Sequence, residues 1–227
     1  MRNIFLFIGI GLLASLSYAS DFHRASPEKY IGKSTTIESD IGNEYMAVTS
    51  DPEATRAAYE ILSDGGTAAD AAIAAQLVLG LTEPQSSGLG GGAFIMYYNA
   101  LDNSLTALDG RETAPLASTP NYFLKNNMEP MGFFEAVLDG RSVGIPGTPA
   151  LLGDLHERFG KINIKKLIEP ALNLAINGFA PSKGLLKSLE NDIGRLDQNK
   201  TSKEYFYNKK IIKNNKYASI LKKFANK

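Results

Sequence analysis

The sequence predicts an α/β layered domain whose sheet is antiparallel. Two consecutive helical patterns are followed by two short strand patterns that a turn joins, and further helical patterns come after them. No strand–helix–strand unit repeats along the chain, so the strands are expected to pair as a hairpin rather than through crossover helices. The length of 227 residues is sufficient for one substantial hydrophobic core, or for two small ones.

The composition excludes several classes of function. Lys and Arg number 24, and so do Asp and Glu, so the net charge of zero gives no argument for a nucleic acid partner. Cysteine is absent, which excludes disulfides, thiolate nucleophiles, iron–sulfur clusters and cysteine-based zinc sites. The two histidines, His23 and His156, are too few to indicate a histidine metal site. We therefore expect neither a metal nor a cofactor.

The first 19 residues (1–19) have the order of a secretory signal peptide. Arg2 is followed by an apolar run, Ile4–Leu13, and then by small residues up to Ala19. A membrane span needs about 20 apolar residues, so we expect cleavage after Ala19, with an uncleaved anchor as the alternative. The protein is then exported, periplasmic or secreted, and is free of the membrane after cleavage. A polar leader follows at 20–43.

The folded part is predicted to begin with a strand and two helices. "YMAVTS" (Tyr45–Ser50) is short, β-prone and largely apolar, which indicates a buried strand. Asp51 suits the N-cap of a helix that ends at the pair Gly65-Gly66. Thr67 and Asp70 form a T-x-x-D cap for a second helix. The body of that helix, "AAIAAQLVLGL", is apolar nearly all round, so it must be buried.

A glycine-rich stretch, "EPQSSGLGGGAFIMYY", contains the letters of a G-x-G-x-x-G/A dinucleotide fingerprint. That fingerprint needs a strand before it and a helix after it. Here a helix comes before it, and a hairpin of Phe94–Asn99 and Leu105–Leu108, with a turn near Asp102-Asn103, comes after it. The glycines are therefore predicted to be scaffold, at a tight crossing where side chains would clash. They are Gly88, Gly90, Gly91 and Gly92.

Further helices are predicted in the second half of the chain. Asp109-Gly110 is typical of a turn after the hairpin. Helices are expected at Ala150–Phe159 and in "NIKKLIEPALNLAINGF", which contains Pro170 and ends at Gly178. The last segment, "YASILKKFANK", has a helical pattern without a capping glycine, which indicates that the chain stops in mid-fold.

The residues alone show no complete catalytic apparatus. His156 lies in a helical pattern between charged residues and is expected to be solvated, and neither G-x-S-x-G nor H-E-x-x-H is present. Arg111 is the best single candidate, because a guanidinium binds a substrate carboxylate with two parallel hydrogen bonds. The alternative, a surface arginine paired with Glu112 or Asp109, is favoured by residue chemistry taken alone.

Four segments together resemble the gamma-glutamyltransferase family, also called glutathione hydrolases. They are "ILSDGGTAADAAIAAQLVLGLTEPQSSGLGGGAFIMYY", "LDGRETAP", "VGIPGTPALLGDLHERFG" and "LIEPALNLAINGF", in the order and near the spacing of the family. The resemblance runs from about Ala47 to the C-terminus. It implies an N-terminal nucleophile hydrolase fold, a four-layer αββα sandwich, here truncated. Residues 44–227 would be the N-terminal portion of the large-subunit domain, incomplete.

The resemblance also implies a reaction. The family precursor cleaves itself, and the new N-terminal threonine of the small subunit attacks the γ-glutamyl carbonyl with its own amine as base. Water or an amino acid or peptide then resolves the acyl-enzyme. Arg111 of the D-x-R-E motif would bind the α-carboxylate of the glutamyl group, with Asp109 and Glu112 in support.

This sequence departs from the family at the nucleophile. The threonine segment lies beyond residue 227 in the family, and Thr35-Thr36 precedes the large-subunit motifs, so no catalytic residue is assigned here. The resemblance thus implies a fragment, inactive alone, whose partners are a γ-glutamyl compound such as glutathione and a small subunit. The alternatives are a non-catalytic exported module that binds γ-glutamyl compounds or glutamate, and a relative of cephalosporin acylases. The D-G-R-E motif favours the glutamyl site over the acylase.

Overall fold

The computed structural model describes residues 41–207 and 210–226. The predicted signal peptide (1–19) and most of the predicted leader lie outside the described residues. The helices are α1 (Pro52–Ser63), α2 (Ala68–Thr82), α3 (Phe133–Leu138), α4 (Thr148–Phe159), α5 (Ile164–Asn177), α6 (Lys183–Asn191), α7 (Ile193–Leu196), α8 (Lys200–Phe206) and α9 (Asn215–Phe224), with a short 3₁₀ helix at Gly140–Ser142. The strands are β1 (Ala93–Asn99) and β2 (Ser104–Gly110).

Helix α2 lies at the centre of the hydrophobic core. Its residues are buried along both sides, as the absence of a polar face predicts, and α1, α4 and α5 pack against it. Its alanines let these helices approach closely, and Ile73, Leu77 and Leu81 fill the space between them. The prediction of a buried second helix is confirmed.

The N-terminus of α2 is joined to the loop between α4 and α5 by one carboxylate. Asp70 is fully buried, and its side chain accepts hydrogen bonds from Thr67 N (2.9 Å), Lys161 N (3.0 Å) and Ile162 N (3.2 Å). The predicted cap of Thr67 and Asp70 is a reciprocal capping box. What the sequence did not show is that the same carboxylate also binds two backbone N–H groups about 90 residues further along.

Helix α9 is held against α2 by a buried tyrosine. The Tyr217 hydroxyl donates to the carbonyl oxygen of Leu77 at 2.9 Å, and burial raises the pKa of Tyr217 above its ordinary value. Gly80 leaves the space that the phenol ring needs, since a Cβ there would lie 2.5 Å from the hydroxyl oxygen. The sequence predicts no capping glycine for this helix. The helix ends at Phe224, and its C-cap is Ala225.

The hairpin has one face on the helical core and one face exposed. Strands β1 and β2 are antiparallel, with Ala93 opposite Gly110 and Asn99 opposite Ser104. On the inner face Tyr97 stacks on Phe159 of α4, with ring centroids 4.1 Å apart. The outer face carries exposed apolar side chains, namely Phe94, Met96, Tyr98 and Leu105. Within the described residues the sheet therefore has helices on one side alone.

Two predicted elements are wrong. Tyr45–Ser50 is irregular rather than a strand, although its side chains alternate between half-buried and exposed, because no described residue supplies a second strand to pair with it. Asp109 and Gly110 belong to β2 rather than to a turn, because they pair with the start of β1. The cross-strand hydrogen bonds outweigh the local turn preference of an Asp-Gly pair.

His156 is also placed differently from the prediction. It is half-buried, and its Nε2 donates to the carbonyl oxygen of Ile162 at 2.8 Å, so it is not a solvated helix residue. The ring fills the bend between α4 and α5, where a Cβ on Gly160 would lie 2.5 Å from it. The helices predicted at Ala150–Phe159 and up to Gly178 are present, with α4 beginning two residues earlier than expected and α5 continuing through Pro170. The sequence did not predict α3, α6, α7 and α8.

Replacing Asp70 by Asn is expected to destabilise the fold. The amide would turn one acceptor oxygen into a donor that faces backbone N–H groups, and unpaired buried groups cost about 1–3 kcal/mol. Urea denaturation followed by circular dichroism measures the change. Asp154→Asn is the control, because this exposed carboxylate is 3.4 Å from Arg158 and should contribute at most about 0.5 kcal/mol. Equal free energies of unfolding for the two variants would contradict the assigned role.

Candidate functional site around Arg111

Arg111 is the first residue after β2, and its backbone is held while its side chain is free to bind. Its backbone N–H donates to Asp109 Oδ1 at 2.9 Å, which fixes the direction of the chain as it leaves the strand. The side chain is 67% exposed, and its charge partner among the described residues is Glu112, at 3.9 Å. An exposed pair at that distance contributes little, so the guanidinium can bind an incoming carboxylate.

Close backbone contacts fix the position of Arg111. A Cβ on Gly92 would lie 2.5 Å from Glu112 N and 2.7 Å from the Cα of Arg111. A Cβ on Gly110 would lie 2.5 Å from the Cβ of Leu151 in α4. Contacts below 3.0 Å are not tolerated by a real Cβ, so glycine is required at both positions. The start of β1, the end of β2 and helix α4 thus meet at Arg111.

The expectation that side chains would clash throughout the glycine turn is wrong at three of the four positions. A Cβ on Gly90 or Gly91 would meet no described atom within 4 Å, and one on Gly88 would meet the N of Gly90 at 3.9 Å. Crowding therefore explains Gly92 and does not explain the other three. The pattern of the letters alone could not separate them, because crowding depends on residues that are distant in sequence.

Gly91 contributes through its carbonyl group. This oxygen accepts from Gly147 N (3.0 Å), Thr148 N (3.1 Å) and Thr148 Oγ1 (3.1 Å). Thr148 is fully buried at the start of α4, so the glycine turn is bound to donors at the N-terminus of that helix. The sequence did not identify Thr148 as a residue that holds the glycine turn. The one local indication was the Pro-Gly-Thr sequence at the beginning of a predicted helix.

A long loop, residues 113–145, leaves the hairpin directly after Arg111 and returns beside it. Thr113 and Ile145 close its base by exchanging two backbone hydrogen bonds, of 3.2 and 2.8 Å. Within this loop, Arg141 donates to both carboxylate oxygens of Asp139 (2.9 and 3.0 Å) and to the carbonyl oxygen of Tyr122 (3.1 Å). Sequence reasoning missed this arginine, because nothing in the local sequence shows that the two strands of the loop meet.

The ion pair of Asp139 and Arg141 changes the proton affinity of both groups. Hydrogen bonds from Arg141 lower the pKa of Asp139 to about 2, and the carboxylate raises the pKa of Arg141 above its ordinary value. Both side chains stay charged at neutral pH. The ion pair orients the guanidinium of Arg141, and the bond from Arg141 to the carbonyl oxygen of Tyr122 joins the two halves of the loop.

Arg111 lies between two open cavities. One, of about 430 Å³, is lined by residues of β2 and the start of α4, including Asp109 and Asp154. The other, of about 540 Å³, is formed by the 113–145 loop, and Arg141 also lines it. Arg111 can therefore contact a ligand in either cavity.

Two negative findings apply to residues 41–207 and 210–226. Over these ranges, His, Asp and Glu side chains nowhere gather in a group of three or more that could hold a metal ion. In the same part of the chain, none of the helices has the length and apolar character to cross a bilayer.

Residues 54–227 match the family described as Gamma-glutamyltranspeptidase, and the chain belongs to this family. The fold class is accordingly the α+β fold of the N-terminal nucleophile hydrolases, and the predicted family and fold class are confirmed. The described residues supply helices and a two-stranded antiparallel sheet.

Relatives from several bacteria share this segment. The glutathione hydrolase proenzyme of Bacillus subtilis strain 168 is 41% identical over 140 residues, which are 62% of this chain and 24% of that protein. The corresponding Escherichia coli K12 proenzyme is 31% identical over 183 residues, 78% of this chain and 31% of that protein. The crystal structure of Helicobacter pylori gamma-glutamyltranspeptidase matches with a TM-score of 0.74 and 30% identity, over 84% of this chain and 56% of that one. The chain spans about a quarter of the first relative's length.

Gly92→Ala is expected to destabilise the fold by about 1–3 kcal/mol, because the new methyl group would overlap the backbone of Arg111 and Glu112. Gly91→Ala is the matched control, since its methyl group meets no described atom and should change stability by at most about 0.5 kcal/mol. Urea denaturation of both variants tests this difference. A control variant as unstable as Gly92→Ala would show that crowding is not the reason for glycine.

The carboxyl group of Asp139 is expected to titrate near pH 2. Its pKa is lower in the folded state than in the unfolded state. The ionised carboxylate therefore stabilises the fold fully above the ordinary pKa near 4, and this stabilisation is lost as the pH falls through about 2. Carboxyl carbon NMR shifts measure the midpoint. In Arg141→Gln the midpoint should move up toward the ordinary value, and in Lys125→Gln, whose ion pair is with Glu135, it should not. An ordinary midpoint in the unmodified protein would disprove the ion pair.

Proposed function

We propose that this chain forms the glutamyl-binding part of a γ-glutamyl-cleaving enzyme, with Arg111 binding the α-carboxylate of the γ-glutamyl group. The observation that carries this proposal is the combination of a fixed backbone and a free side chain at Arg111. A guanidinium that no strong internal ion pair occupies can use two parallel N–H groups for a carboxylate. Asp109 and Gly92 act by positioning the backbone, and Glu112 lies beside the guanidinium.

The reaction proposed is cleavage of the γ-glutamyl amide bond through an acyl-enzyme. A threonine hydroxyl attacks the γ-carbonyl carbon, its proton passes to the threonine's own amine, and the amine of the substrate leaves with a proton. Water or the amino group of an acceptor then breaks the ester and restores the threonine. The threonine comes from a small subunit, in agreement with the name "proenzyme" of the Bacillus subtilis and Escherichia coli relatives. Glutathione is the substrate class that the relatives' names support.

The same proposal includes export. The order of charge, apolar run and small residues at 1–19 supports cleavage after Ala19 and function in the periplasm or outside the cell. Since the nucleophile is supplied by a partner, the chain alone binds γ-glutamyl compounds without turning them over.

Arg111→Ala is expected to weaken glutamate and glutathione binding by about ten- to hundredfold, because one charged, doubly hydrogen-bonded contact is lost. Arg111→Lys should be intermediate, since an ammonium cannot form the two parallel bonds. Isothermal titration calorimetry on the purified chain measures the dissociation constants. Arg56→Ala is the control, because Arg56 is an exposed arginine whose charge partners are on its own helix.

Two outcomes would overturn the proposal. Glutamate binding that is unchanged in Arg111→Ala would show that Arg111 does not bind the carboxylate. Release of the chromophore from γ-glutamyl p-nitroanilide by the chain alone, without a small subunit, would show that the nucleophile lies within these residues.

A further inference from the structure

The cavity of about 540 Å³ beside Arg111 is lined by a second guanidinium, that of Arg141. An arginine side chain has five N–H donors, and Arg141 uses three of them within the described residues, on Asp139 and on the carbonyl oxygen of Tyr122. Two N–H groups are therefore available to a ligand. The three existing bonds hold the guanidinium in one orientation, so a ligand would not have to order it.

The remaining walls define the kind of molecule that the cavity fits. Apolar surface is supplied by Pro115, Tyr122, Phe123 and Met131, and Glu112 lies on the side of Arg111. A ligand of this shape carries one carboxylate at Arg111, a second at Arg141, and an uncharged body between them. A γ-glutamyl peptide with a free C-terminal carboxylate has this distribution of charge.

We propose that Arg141 binds the C-terminal carboxylate of the leaving peptide and so makes γ-glutamyl peptides better ligands than neutral γ-glutamyl amides. The inference rests on the proposed role of Arg111 for the glutamyl end. Because Asp139 already neutralises much of the charge of Arg141, the preference is moderate, about tenfold in dissociation constant. Arg141 is thus a specificity-determining residue on the 113–145 loop.

Calorimetry with glutathione and γ-glutamylethylamide tests the proposal on the purified chain. The two ligands share the glutamyl group, and only glutathione carries the distal carboxylate. The unmodified chain should bind glutathione about tenfold more tightly, and Arg141→Gln should remove this preference while leaving the dissociation constant of γ-glutamylethylamide within about twofold. Lys125→Gln is the matched control, because Lys125 is another exposed cation of the same loop and is paired with Glu135. It should keep the preference.

The variant Asp139→Asn distinguishes a structural role of Arg141 from direct ligand binding, because it weakens the ion pair but keeps the cation. Weaker binding of both ligands in Arg141→Gln, by the same factor as in Asp139→Asn, would overturn the proposal in favour of a purely structural role. Equal affinity for the two ligands in the unmodified chain, or a preference that survives in Arg141→Gln, would overturn it directly.

Glycylglycine and glycylglycinamide separate this proposal from the one for Arg111, since neither contains a glutamyl group. Saturation-transfer NMR should detect glycylglycine more strongly than its amide, and Arg141→Gln should abolish the difference while Arg111→Ala should not. Suppose that γ-glutamylethylamide does not bind, but that glycylglycine still gives a stronger signal than its amide and this difference depends on Arg141. The carboxylate site at Arg141 is then supported, and the glutamyl site at Arg111 is not. If the dipeptide shows no dependence on Arg141, the carboxylate site is wrong.

Discussion

The structure depends on enclosing a helix that has no polar face. Helix α2 is apolar on all sides, so it is stable only when other helices surround it, and α1, α4, α5 and α9 do so. Asp70 completes the enclosure, because its buried carboxylate binds both the N-terminus of α2 and the loop after α4. Once α4 is fixed in this way, its own N-terminus is fixed as well.

The candidate site is built on that N-terminus. The carbonyl group of Gly91 binds to Gly147 and Thr148 at the start of α4, and the hairpin that follows Gly91 packs its inner face on the same helix. Arg111 leaves the end of the hairpin at this point. Arg111, the residue proposed to bind the carboxylate, is thereby held at its backbone while its guanidinium keeps no strong partner, so it can pair with a small anionic ligand.

Apolar surfaces are left exposed on the hairpin and on the 113–145 loop among the described residues. The outer face of the hairpin exposes Phe94, Met96 and Tyr98, and the 113–145 loop has no fully buried residue of its own. The loop is held instead by its closing backbone bonds and by the hydrogen bond from Arg141 to the carbonyl oxygen of Tyr122. The matched segment is about a quarter of the length of the Bacillus subtilis relative, and exposed apolar patches of this kind are typical of interaction surfaces.

Local sequence was sufficient for α1, α2, α4, α5, α9 and the hairpin, and it singled out Arg111 as the candidate site residue. Caps, stop signals and apolar periodicity act over a few residues, so the bounds of α1 and α2 and the turn of the hairpin could be read directly, and the motif around Arg111 carried the family resemblance. Contacts between distant segments could not be read in this way. The strand expected at Tyr45–Ser50 needs a partner strand that no described residue supplies. The need for glycine at position 92 depends on the backbone of Glu112, and the ring of His156 is hydrogen-bonded to the carbonyl oxygen of Ile162. Arg141 reaches the cavity of Arg111 because the 113–145 loop returns to its starting point, and closure of such a loop is decided by tertiary hydrogen bonds rather than by any local pattern.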